Sequence, residues 1–258
     1  MAKNILLTLE YDGSEFHGWQ VQPNTRTVQR ELEAILRLMY DDDELRVTGS
    51  GRTDSGVHAL GMGATFMATK DIPMEGLVRG LNSQLPKDIV ILTAREVPAT
   101  FCARHSAQGK RYRYKIWNTL RRPAIERKRT WHISDPLDIF AMQKAASYLI
   151  GRHDFSSFRG AGCASKHPHR DLHEISIFQE GSMIVVEVNG SAFLRHMVRN
   201  IVGCLVDVGK GVRPPEWMDE VLKSKNRSKA SLTAPAQGLY MVFVRYTLPP
   251  LDLDSMSL

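Results

Sequence analysis

Apolar residues recur at two periods along the chain, and the switching between them predicts a mixed α/β protein. Residues 5–11 read I-L-L-T-L-E-Y, a buried strand that Asp12-Gly13 brings to a close. Val28, Leu32, Ile35, Leu36 and Met39 share one helical face, so a helix is expected over 28–39 with Thr27 as its N-cap. A short strand around Leu45 and Val47 and a strand over 64–68 come next. A helix opened by Pro73 and carrying Leu77, Val78 and Leu81 then leads to a strand over 89–97. The order is β-α-β-(β)-α-β.

The second half repeats this grammar. From 106 to 117 the period is two: Tyr112, Tyr114 and Ile116 share one face of a strand, and Arg111, Arg113 and Lys115 share the other. A helix is expected over 137–149, a hairpin from 172–178 and 183–188 around Glu180-Gly181, and a strongly apolar helix over 193–208. A short helix over 215–223 and an alternating strand over 239–246 complete the pattern. The expected fold class is therefore α+β, in two halves divided at 1–104 and 105–258. No repeat is visible between them.

Charge adds a partner to this picture. The 258 residues carry 34 Lys and Arg against 28 Asp and Glu, a net charge of +6. Acid gathers in Asp41-Asp42-Asp43-Glu44, whereas base clusters at 109–115, 120–129, 167–170 and 223–229. Each basic run alone is usually a solvated face, but together they suit a phosphate backbone. No apolar run is long enough to span a bilayer, and Met1-Ala-Lys-Asn does not begin a signal peptide. Cys102, Cys163 and Cys204 show no paired spacing and read as reduced thiols of a cytoplasmic protein.

Chemistry centres on 48–60, T-G-S-G-R-T-D-S-G-V-H-A-L. Gly49, Gly51 and Gly56 among short polar residues mark backbone that turns sharply or lets a ligand approach, and the loop presents Arg52 and Asp54. Gly-Ser-Gly followed by Asp is also ordinary turn composition, and spacing alone favours that simpler reading. A second candidate is Arg199, set in a helix that is apolar over most of its circumference and in need of a carboxylate; Arg195 competes with it. His167, His169 and His173 lack an acidic or thiolate ligand to complete a metal-binding spacing, and neither a G-x-S-x-G elbow nor a G-x-G-x-x-G fingerprint occurs. Ordinary side chains are left to do the chemistry.

G-R-T-D-S-G-V-H-A resembles the signature of the tRNA pseudouridine synthase A family. The resemblance continues through Y-D-G-S-E-F-H-G-W-Q (11–20), F-C-A-R-H-S-A (101–107), K-R-Y-R-Y (110–114), H-D-F-S-S-F (153–158), H-M-V-R-N-I-V-G (196–203) and A-P-A-Q-G-L (234–239). It implies a pseudouridine synthase fold whose halves carry antiparallel sheets meeting at a central catalytic cleft. It further implies Asp54 as nucleophile, Arg199 as its partner and Tyr112 stacking on the target base, with Tyr114 the alternative if the register shifts. Arg52 would hold the flipped uridine, and Leu239 would contribute an apolar wall. The implied activity is isomerisation of uridine to pseudouridine at nucleotides 38–40 in the anticodon stem-loop of tRNA, by a homodimer, with no metal and no cofactor. Cys102 and Met62 depart from the family pattern. The rival reading is a tRNA-folding chaperone of the same fold without catalysis, which Asp54→Asn separates from the enzyme: only the enzyme loses its function.

Overall fold

Strand β1 (Lys3–Tyr11) forms where the first apolar run lies, and in the computed structural model, which describes residues 2–248, it sits between two antiparallel neighbours. After it come α1 (Val28–Tyr40), β2 (Thr48–Gly49), β3 (His58–Ala68), α2 (Met74–Gln84) and β4 (Ile89–Val97). The second half contributes β5 (Gly109–Asn118), β6 (Trp131–Ile133), α3 (Ile139–Ser147), β7 (Gly151–Asp154), β8 (His169–Glu180), β9 (Met183–Gly190), α4 (Met197–Gly209), α5 (Trp217–Ser224) and β10 (Leu239–Arg245). The strands join in the order β4-β1-β3-β10-β5-β9-β8-β7, with β2 added to β3 and β6 to β5. Each half supplies an antiparallel set. The two sets fuse through β10, which runs antiparallel to β5 and parallel to β3 over only two pairs, Tyr240 with His58 and Met241 with Ala59.

The alternation in β5 is realised: Tyr112, Tyr114 and Ile116 are buried. On the opposite face the cations find local partners. Arg113 donates from Nε to Glu187 at 2.8 Å, Arg111 lies over the Phe243 ring and Lys115 over that of Tyr240. The core is continuous from Ile5 to Met241 and draws residues from both halves. Among the described residues no helix is long and apolar enough to cross a membrane.

Four local expectations change. The strand placed at 64–68 is the end of the longer β3. Leu45 and Val47 are buried plugs rather than strand residues, because the Val47 amide donates to the Glu33 carboxylate at 2.9 Å instead of to a neighbouring strand. Thr27 precedes α1 as expected, but its hydroxyl makes no capping bond and is buried without a partner. The last apolar helix starts at Met197, not 193: His196 takes a left-handed conformation with φ 60°, which ends any helix running through it. From there α4 is packed almost all round, with only Arg199 and Asp207 on its length less than fully buried.

Candidate active site

The loop from Ser50 to Val57 is fixed by bonds that do not use the Asp54 side chain. The Ser50 amide donates to Gly63 O at 2.7 Å, and the Lys110 ammonium reaches Ser50 O at 2.8 Å. Thr53 is held at both ends: its carbonyl accepts the Trp19 amide at 3.2 Å, and its hydroxyl bonds the Tyr11 hydroxyl at 2.8 Å. Gly18 makes this closeness possible, since with φ 85° a Cβ there would stand 2.4 Å from Thr53 O. Val57 N–H closes the turn onto Asp54 O at 3.1 Å. Burial, with the charge of Arg104 second, lowers the Lys110 ammonium to about 8. The buried Met62 thioether accepts the Ser50 hydroxyl at 3.3 Å, so this departure from the family pattern lies directly beneath the loop. Cys102 lies away from Asp54, its amide donating to Ser106 Oγ at 3.1 Å.

Across the cleft, Arg199 is presented by the first turn of α4. Its Nη1 lies 2.9 Å from Asp54 Oδ2, and its Nε donates to Ala234 O at 2.7 Å. Residues 145 positions apart thus form one ion pair, and it is largely dry: the side chains are 28% exposed for Asp54 and 15% for Arg199. Arg195 does not compete. It is exposed and donates to Ala161 O at 2.9 Å.

The segment 234–238 ties the site together. The Ala234 amide returns to Arg199 O at 3.1 Å, the Tyr114 hydroxyl donates to Pro235 O at 2.7 Å, and His58 Nε2 bonds Gln237 O at 3.1 Å. Gly238 lies against the Tyr114 ring, where a Cβ would come within 2.6 Å of it. Tyr114 is therefore a structural bolt, fully buried and hydrogen-bonded. Tyr112 differs. It packs edge-on against Phe193 with centroids 5.0 Å apart, and its hydroxyl bonds no described residue. Burial pushes that hydroxyl well above its ordinary value, and the nearby charges of Tyr11 and Asp54 add to the effect. Leu239 begins β10 opposite Tyr114 and is buried, whereas Arg52 is exposed and pairs with no described residue.

One residue at this site was not singled out by the sequence. His196 Nε2 lies 3.4 Å from Asp54 Oδ2, the same oxygen that Arg199 holds. Burial lowers its pKa and the surrounding Arg199, Arg195 and Arg227 lower it further, against the opposing pull of Asp54, so the ring is neutral near pH 7. The spacing H-x-x-R at a helix start was the available signal, because residues three apart share a face. Asp54 Oδ1 has no protein partner among the described residues. Asp54, Arg199, His196 and Tyr112 together present one free carboxylate oxygen in an aromatic, cation-backed cleft. Of the three histidines considered for a metal, His173 lies 3.8 Å from Asp171, His169 opens β8 and His167 lies in the loop before it. The described residues hold no group of three or more His, Cys, Asp or Glu placed to bind a metal ion.

Known proteins share this arrangement of segments. A family profile described as tRNA pseudouridine synthase matches residues 8–105 and 145–247. The chain is 49% identical over 255 residues to tRNA pseudouridine synthase A of Coxiella burnetii, which covers 98% of this chain and 97% of that one. It is 44% identical over 244 residues to the protein of that name from Geotalea uraniireducens, covering 95% and 100%. It is 45% identical over 243 residues to that of Myxococcus xanthus, covering 94% and 91%. These similarities define an enzyme of the pseudouridine synthase class, an isomerase. More narrowly, the chain belongs to the tRNA pseudouridine synthase A family.

Proposed function

We propose that this chain converts uridine to pseudouridine at nucleotides 38, 39 and 40 in the anticodon stem-loop of tRNA, with Asp54 as nucleophile. The observation that carries the reading is the Asp54–Arg199 pair, which fixes one carboxylate oxygen and leaves the other open beside Tyr112. The reaction breaks the C1′–N1 bond, turns the uracil and joins C1′ to C5. The proton on C5 is lost to water, N1 takes up a proton in its place, and the product is an isomer of the substrate. Neither electrons nor groups are exchanged with another reactant, so the chemistry requires no cofactor.

To reach the base the enzyme takes it out of its stack, at a cost of a few kcal/mol that stacking and polar contacts return. Tyr112 supplies the stacking face, Arg52 the cation that holds the displaced nucleotide, and Leu239 part of the apolar wall. Asp54 then acts through Oδ1, by adding covalently to the nucleotide or by taking a proton from the sugar. Arg199 and Ala234 keep the carboxylate aimed. The active form is a homodimer in the cytoplasm, one subunit gripping the body of the tRNA while the other supplies the site. The runs at 109–115, 120–129, 167–170 and 223–229 provide the cations for that grip.

The test is release of tritium to water from bulk tRNA labelled at uracil C5, without added metal, beside an Asp54→Ala control. Release by the wild type alone supports the reading. No release by either, with tRNA still bound tightly, overturns it in favour of an RNA-binding role. Mapping pseudouridine in the product then assigns the nucleotides.

A further inference from the structure

Beside the cleft, three guanidiniums converge on the loop 160–168 with no acid to balance them. Arg159 donates from Nη2 to Cys163 O and Ser165 O, both at 2.8 Å. Arg170 donates from Nη1 to His167 O at 2.8 Å and His169 O at 2.6 Å, and from Nη2 to Ser165 Oγ at 2.8 Å. Arg195 donates from Nη1 to Ala161 O at 2.9 Å. None of the three forms an ion pair with a carboxylate among the described residues.

Such an arrangement is unfavourable on its own. Backbone carbonyls and one hydroxyl hold the guanidiniums in place but carry no charge to neutralise them. The electrostatic consequences are local and consistent. Arg170 is lowered from its ordinary value, chiefly by burial and further by the charge of Arg159, against the opposing pull of Cys163. The Cys163 thiol is pushed up by burial, yet ends below its ordinary value because the amides of Arg195 and Ser165 and the guanidinium of Arg159 favour the thiolate. Donors also remain unspent. Arg170 Nε is buried with no partner, Arg159 reaches the loop carbonyls through Nη2 alone, and Arg195 is bonded only through Nη1. A planar guanidinium with free N–H groups and no acid nearby is suited to a phosphate oxygen.

The loop is tied directly to the candidate active site. The Gly160 amide donates to Arg195 O at 2.8 Å, and Gly160 lies so near His196 that a Cβ there would be 2.7 Å from Nδ1. His196 in turn lies 3.4 Å from Asp54. An anion held by these arginines is thus a close neighbour of whatever nucleotide Asp54 engages.

We propose that Arg159, Arg170 and Arg195 form a cradle for a backbone phosphodiester of the RNA strand that carries the target uridine. This inference rests on the RNA-modifying reading of Asp54. The cradle takes the strand by its backbone, without reading the base, and so fixes the register of the uridine while leaving sequence free.

The test measures binding of a synthetic anticodon stem-loop to the full chain by fluorescence anisotropy at several chloride concentrations. It compares wild type with Arg159→Gln, Arg170→Gln and the surface variant Arg195→Gln, whose side chain is exposed. Losing the cradle should lower the slope of log Kd against log salt by about 0.7–0.9 for each phosphate that the variant no longer neutralises. It should also raise KM about tenfold with kcat little changed. Stem-loops carrying one neutral methylphosphonate, placed in turn on either side of the target nucleotide, give the decisive comparison. At one position wild type and Arg195→Gln should bind equally weakly. If the variants keep the full slope, or lose affinity equally for every methylphosphonate stem-loop, the arginines only shape the loop and the cradle is wrong. If inorganic phosphate at matched ionic strength displaces RNA from the wild type but not from the variants, the preferred ligand is a free anion and the backbone assignment fails. If wild type binds no stem-loop at all, the functional reading falls, and the cradle with it.

Discussion

Arg199 reaches Asp54 with a single nitrogen, Nη1, because its Nε is already committed to the carbonyl of Ala234. A guanidinium can serve both acceptors at once from fixed directions, and an ammonium on a flexible stem does so poorly. Arg199→Lys should therefore fold but lower kcat by at least a hundredfold, as the carboxylate loses its aim. Arg199→Met should in addition lose about 1–3 kcal/mol of stability, since the Ala234 carbonyl is left without its donor. Single-turnover kinetics and urea titration measure the two effects separately.

Tyr112 and Tyr114 stand on the same face of β5, and their hydroxyls give them opposite phenotypes. Tyr114→Phe removes the bond to Pro235 O and should cost about 1–2 kcal/mol in urea, with activity falling only as the 234–238 segment loosens. Tyr112→Phe deletes a hydroxyl that no described residue engages, so stability should be unchanged or slightly higher. A fall of about tenfold or more in kcat for Tyr112→Phe would assign that hydroxyl to proton transfer. Unchanged kcat would leave the ring with stacking alone.

Gly160 presses on the ring of His196, so Gly160→Ala must move the imidazole off Asp54. The expected result is a fall of about tenfold in kcat with stem-loop Kd within about twofold. Burial lowers the imidazole below its ordinary value, and Arg199, Arg195 and Arg227 lower it further against the pull of Asp54, so it takes up its proton at lower pH than a free imidazole. The pH–rate profile of the wild type should accordingly show an acid limb below the ordinary imidazole range, and His196→Gln should shift or remove it.

Lys110 offers a test of stability against pH. Its folded value is about 8 against an ordinary 10.5, so between those values the unfolded chain binds the additional proton. Stability contributed by this group therefore rises as pH is raised from 8 to 10.5 and is lost again as pH falls through 8. The half-buried position limits the total to about 1–3 kcal/mol. Urea titrations at pH 7.5, 9 and 10.5 should show wild type gaining on Lys110→Met by that amount. Parallel pH dependence in the two proteins would place the titration elsewhere.

Much of this architecture was readable from period and punctuation. The face of α1 follows from Val28, Leu32 and Leu36, and that of β5 from Tyr112, Tyr114 and Ile116, because burial selects one side of each element. The start of α4 was not readable, since Phe193 and Leu194 continue the apolar pattern and nothing in composition announces the left-handed backbone at His196. The pairing of Asp54 with Arg199 spans 145 positions, and only resemblance pointed to it. The role of residues 234–238 was hidden for another reason: their backbone does the work, and backbone hydrogen bonds leave little trace in side-chain chemistry. Likewise, the fusion of the strands into one sheet depends on two residue pairs between β10 and β3, too short a stretch to impose a pattern.

That short parallel pairing also bears on how the chain comes to life during synthesis. Asp54 is made early and Arg199 late, and β10, which joins the strands behind them, comes after every other described element. A nascent chain can therefore form the first antiparallel set long before it owns a complete site. Until residues 199–241 have been made, the Asp54 carboxylate has neither the Arg199 guanidinium beside it nor the β10 backbone behind it.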